Sequence, residues 1–134
     1  MSITNLEQIR AARAISDAKR ILDKRAPGSG DQLVGYHSLI ITNGLLATLA
    51  YSMDKKGEHL LIAETLVHHI AYLQSRKLLP GTKLPQELKS AIRQLADEKE
   101  SAEVLAIVTE ECMAYLNYLK RFVRASKEIS QAES

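Results

Sequence analysis

The sequence predicts an all-α fold, a compact single-domain bundle of about five or six helices spanning residues 1–134, on three observations. Apolar residues recur at spacings of three and four in successive stretches, the signature of one buried helix face. Turn residues separate those stretches at Pro27-Gly28-Ser29-Gly30, Asp54–Gly57 and Pro80-Gly81. Aromatics make up 4% of the chain, with one Phe and no Trp, a composition that suits helix packing better than a β-sandwich core. Hydrophobic residues reach 46%, an ordinary globular share, so wholesale disorder is not expected.

The first helix has a legible start. Thr4-Asn5-Leu6-Glu7 reads as a capping box, with Thr4 accepting from a backbone amide and Glu7 reaching back. Ala11, Ala14, Ile15, Ala18, Ile21 and Leu22 gather on one side of the wheel. Arg10, Arg13, Arg20 and Lys24 gather on another, with Asp17 among them. Residues 26–31 form the clearest linker. The second region, 31–54, is rich in Leu, Ile and Ala and is interrupted by Asn43-Gly44. Asn-Gly is a strong hairpin signal, but the flanks SLIIT and LLATLAY do not alternate apolar and polar, so helix is favoured. The glycine either ends one helix or sits within a longer one.

A third helix is expected over about 58–76, apolar around much of its circumference, which predicts a central position. Pro80-Gly81 breaks the chain, and Pro85 is read as the first helical position of a short fourth helix, with Leu88, Ile92 and Leu95 inward. Asp97 to Glu100 reads as a further cap. The last helix, about 101–128, carries an apolar stripe through Leu105, Val108, Cys112, Tyr115, Leu119 and Phe122, with Lys120, Arg121, Arg124 and Lys127 on the opposite side. Residues 130–134 are expected to fray.

The net charge of +2 conceals an uneven distribution. Residues 1–25 and 112–134 are basic, whereas 84–111 is acidic, with Glu87, Asp97, Glu98, Glu100, Glu103, Glu110 and Glu111 against Lys89, Arg93 and Lys99. A two-signed surface fits local contact with a polyanion better than autonomous DNA binding. No apolar run approaches the roughly 18 residues of a membrane span. The N-terminus lacks the pattern of a signal peptide, and the lone Cys112 suits a reducing cytoplasm.

No catalytic constellation is expected, and neither a metal nor a cofactor. His68 and His69 are neighbours whose side chains diverge by about 100°, and HExxH is absent, so His37, His59, His68 and His69 read as surface or packed residues. Cys112 lies on an apolar stripe and reads as an inert buried thiol. The carboxylates show no pair in contrasting environments. The basic faces remain: either solvated helix surfaces, or backbone-reading contacts to a polyanion.

The segment YHSLIITNGLLATLAYSM (36–53) resembles the NGL-containing helical segment of the Cmr small-subunit family of CRISPR-associated proteins. EECMAYLNYLKRFVRA (110–125) resembles that family's closing helix, and LEQIRAARA (6–14) and HLLIAETLVHHIAYL (59–73) are weaker matches in the same order. Tyr118 stands where that family often has Trp, and the Asp54–Gly57 connection is short. The resemblance implies a non-catalytic, cytoplasmic subunit of a type III-B antiviral effector complex. Its copies would stack head-to-tail beside the backbone subunits, with the large subunit also present, along guide RNA and target RNA. RNA-facing candidates are Lys120, Arg121, Arg124 and Lys127, then Arg10, Arg13, Arg20 and Lys24. Asp97, Glu98, Glu100 and Glu103 are candidates for stacking against a basic helix of the next copy. The main alternative is a stand-alone helical interaction module that touches no RNA. A helix-turn-helix regulator is disfavoured, since no exposed polar recognition helix follows Asn43-Gly44.

Overall fold

A computed structural model describes residues 5–24 and 32–133, with side chains through Ala125. The helices are α1 (Leu6–Lys24), α2 (Gln32–Asn43), α3 (Leu45–Lys55), α4 (Gly57–Ser75), α5 (Leu88–Ala96) and α6 (Ala102–Glu133), and there is no strand among the described residues. The all-α expectation holds.

α4 touches each of the other five helices. Its apolar sequence explains that place: Ile62, Ala63, Leu66, Val67, Ile70 and Leu73 are all buried, pointing to more than one side of the helix. α1 packs chiefly along α6, burying Ala14, Ala18 and Ile21, while α2 packs on α3, α4 and α6, and α3 on α4 and α5. α6 contributes Val108, Cys112, Tyr115, Leu116, Leu119 and Val123 to the same core. Ile15, expected on the buried face of α1, is 54% exposed, because it lies beyond the edge of the narrow alanine-rich stripe that meets α6.

The breaks between helices have local causes. Gly44 takes φ 87°, donates its amide to Ile40 O at 2.8 Å to finish α2, and accepts from the Thr48 hydroxyl at 2.8 Å as α3 begins. The glycine therefore divides two helices, which settles the alternative left open by the sequence. α3 and α4 are separated by Lys56 alone, held at φ 61° and ψ −161°, a region that ordinary side chains avoid. After α4, Leu78 N donates to Leu73 O at 2.9 Å with Lys77 at φ 59°, a Schellman-type stop without the usual glycine.

Residues 76–87 are then tied to the helices by two glutamine side chains. Gln74 Nε2 donates to Pro80 O at 3.2 Å while its Oε1 accepts from Leu84 N at 2.9 Å, and Gln94 Nε2 donates to Thr82 O at 2.7 Å. Gly81, at φ 96°, lets this strap press on α6, since a Cβ there would stand 2.8 Å from Val104 Cγ1.

Two local expectations are corrected. Pro85 is not the first residue of α5: Glu87 stays extended at φ −72°, ψ 125°, and the helix begins at Leu88. The α6 cap is Ser101, whose Oγ accepts from Val104 N at 3.1 Å, whereas Asp97 Oδ1 accepts from Lys99 N in the preceding turn. Asn5 caps α1, its Oδ1 accepting from Gln8 N at 3.2 Å, while Thr4 lies outside the described residues, as does the 26–31 linker. The bounds of α6 take in residues 130–133, where fraying was expected.

Candidate nucleic-acid interface

The α1–α6 seam is fastened by polar side chains rather than by apolar packing alone. Arg10 Nε donates to Glu111 Oε2 at 2.8 Å and its Nη2 to Oε1 at 2.6 Å, a two-pronged pair across the seam. His69 of α4 bonds the same carboxylate through Nε2 at 3.0 Å, and its ring stacks on Tyr115 at 3.7 Å and 6°. Tyr115 Oη donates to Asp17 Oδ2 at 2.5 Å, returning the network to α1. Arg20 sits 3.7 Å from Asp17 and donates to Thr65 Oγ1 at 2.5 Å.

Burial opposes ionisation of Glu111, but the hydrogen bonds from Arg10 and His69 together outweigh it and hold the carboxyl below its usual range. Arg10 is correspondingly raised by the same contact. Burial lowers His69 more than Glu111 raises it, so the imidazole is neutral at pH 7 and donates its Nε2 proton to the carboxylate. Its Nδ1 is then a buried acceptor without a hydrogen-bond partner. Burial pushes the Cys112 thiol well above its usual range, which leaves it protonated and unreactive.

The basic residues singled out from the sequence thus fall into two groups. Arg10 and Arg20 are engaged within the chain, and Arg13 lies over the Tyr72 ring at 4.2 Å. Lys24, Arg121 and Arg124 are exposed, and Lys120 is half-buried beside His37, whose protonation burial and Lys120 both disfavour. None of these four makes a hydrogen bond or ion pair with a described residue. The Lys127 side chain lies outside the described part. Asp97, Glu98 and Glu103 are exposed where α5 gives way to α6, with Glu100 half-buried near Gly81.

The network was invisible to helical spacing. His69 read as one of several surface or packed histidines and Glu111 as part of a polar face, and the Arg10–Glu111 pair joins residues 101 positions apart. The only available signal was a carboxylate, Glu111, flanking the apolar stripe at Cys112. Among the described residues no group of three or more His, Cys, Asp or Glu side chains could hold a metal ion, and no helix is long and apolar enough to cross a membrane.

No curated protein and no solved structure matches the chain. The family described as CRISPR-associated protein (Cas_Cmr5) matches residues 6–126. That span takes in all four segments whose motifs resembled the Cmr small subunits, and with it the chain belongs to the CRISPR-associated Cmr5 family.

Proposed function

We propose that this protein is a non-catalytic small subunit of a type III-B Cmr effector complex in the cytoplasm. Copies stack head-to-tail beside the backbone subunits and support guide and target RNA through basic side chains. The observation that carries the RNA contact is the open state of Lys120, Arg121 and Arg124: one turn of α6 presents three cations that no described residue neutralises. Arg10 and Arg20 are held by Glu111 and Asp17, whereas Lys24, like Arg13 and Lys19, makes no ion pair with a described residue. The exposed carboxylates of Asp97, Glu98 and Glu103 supply the opposite sign for a heterologous contact between copies.

The absence of an enzymatic role fits the chemistry of the candidate groups. Cys112 is held protonated, and His69 and Glu111 are bound to each other and to Arg10 inside the bundle. The alternative, a stand-alone interaction module without RNA contact, draws on the exposed apolar residues Val34 and Ile41, two helical turns apart on α2. Affinity purification of the tagged chain from its native host separates the two. Guide RNA and the larger Cmr subunits are expected with it; recovery of protein partners free of RNA would favour the module.

A further inference from the structure

A second cationic surface lies away from the basic end of α6, where α1 meets the end of α4. Two guanidinium groups are laid against the Tyr72 ring, Arg13 at 4.2 Å and Arg76 at 5.8 Å from its centre. Arg76 Nη1 also donates to the Tyr72 hydroxyl at 2.8 Å. Two open surface cavities of about 310 and 300 Å³ share Arg13 and Tyr72 as a common wall. The first adds Asn5, Gln8 and Arg76; the second adds His68, Lys83 and Gln86.

No carboxylate of a described residue lines either cavity. Arg13, Arg76 and Lys83 form no ion pair with a described residue, and Arg13 Nε is a buried donor without a hydrogen-bond partner. Asp17, one turn along α1 from Arg13, is taken by Tyr115 and Arg20. Among the described residues, nothing therefore compensates the positive charge here. An arginine already held against an aromatic ring has less rotamer freedom to lose when its fork meets an anion. Side-chain amides at both ends of the paired cavities can bond sugar hydroxyls or base edges.

We propose that this α1–α4 surface binds the phosphodiester backbone of single-stranded RNA, with Arg13, Arg76 and Lys83 pairing to phosphates. The choice of RNA as the polyanion rests on the RNA-supporting role proposed above. Two adjoining cavities around a shared cation match a ligand with a repeating charge. The acidic stretch of a second copy does not repeat in that way, since Lys99, Leu105 and Val108 interrupt its carboxylates.

The test uses the isolated full-length chain and a fluorescent oligouridylate across a salt series. Arg76→Ala with Lys83→Ala alters only exposed side chains, so the fold is not at stake. The slope of log affinity on log salt is expected to fall by about 1.4, at about 0.7 per lost single-strand phosphate contact. Arg13→Lys keeps the charge and loses the fork, and is expected to weaken binding with little change of slope. An unchanged slope in the double variant overturns the proposal, as does failure of the unaltered chain to bind. So does a double variant that binds RNA normally but no longer joins its protein partners, which would make this a protein contact. The α6 reading fails or stands separately, on Lys120→Ala, Arg121→Ala and Arg124→Ala in the assembled complex.

Discussion

Glu111 is the point where α1, α4 and α6 are joined by charge: it accepts from Arg10 twice and from His69 once, and it is buried. Removing one partner strands a charge in the seam, so Arg10→Ala is expected to cost about 2–3 kcal/mol, at or just below the about 3–5 kcal/mol of fully buried broken pairs because Arg10 is partly exposed. Arg10→Met with Glu111→Leu should cost less than either single change, since neither charge is then left alone. Urea unfolding midpoints of the three variants check both statements. The same site sets a pH dependence. His69 has its folded value below the ordinary 6.5, so its contribution is complete above pH 6.5 and is lost as pH falls from there towards the folded value. Glu111 has its folded value below the ordinary 4.5, so its contribution persists above 4.5 and is lost on further acidification. Both act in one direction. Stability should fall as pH drops from 7 to 4, and His69→Gln should flatten the upper part of that fall. It should not abolish it, because His37 and His59 are also lowered by burial. None of this was legible in the sequence, where residues 69, 10 and 111 belong to separate helices and pair only once the bundle closes.

The helices themselves were legible, and their ends were less so. The near-uniform apolarity of 58–76 correctly placed α4 at the centre, and the stripe from Leu105 to Phe122 correctly described α6. The α6 cap was misplaced by four residues, because Asp97 and Ser101 both have the chemistry to accept a backbone amide. The linkers carry two expectations about strain. Gly44→Ala places a side chain at φ 87° and should destabilise by about 1–2 kcal/mol. Lys56→Gly relieves a non-glycine residue at φ 61° and ψ −161°, and should stabilise by about 1 kcal/mol after the entropy of the unfolded glycine is counted. Thermal unfolding of the two variants should therefore move in opposite directions.

At the scale of the molecule, the charge segregation seen along the chain survives folding in part. The α5–α6 turn presents carboxylates and the later turns of α6 present cations, but the α1 stripe is divided: two arginines hold the bundle together, a third rests on Tyr72, and Lys24 is open. Counting cations on a helical wheel overstated the α1 face because, although Asp17 was visible among them, Glu111 arrives from across the seam. If the acidic turn seats against a basic helix of the next copy, Glu100→Lys with Glu103→Lys should shorten the assembled stack, read by electron microscopy or native mass; unchanged length would remove that contact from the assembly.

The RNA-supporting role itself is tested most directly by the salt dependence of target-RNA affinity in the complete Cmr complex, rebuilt with Lys120→Ala, Arg121→Ala, Arg124→Ala and Lys127→Ala. Weaker binding with a shallower salt slope, by up to about 0.7 per contact removed, is the expected result. Binding and slope equal to those of the unaltered complex would contradict it, and would return the open face of α6 to solvent.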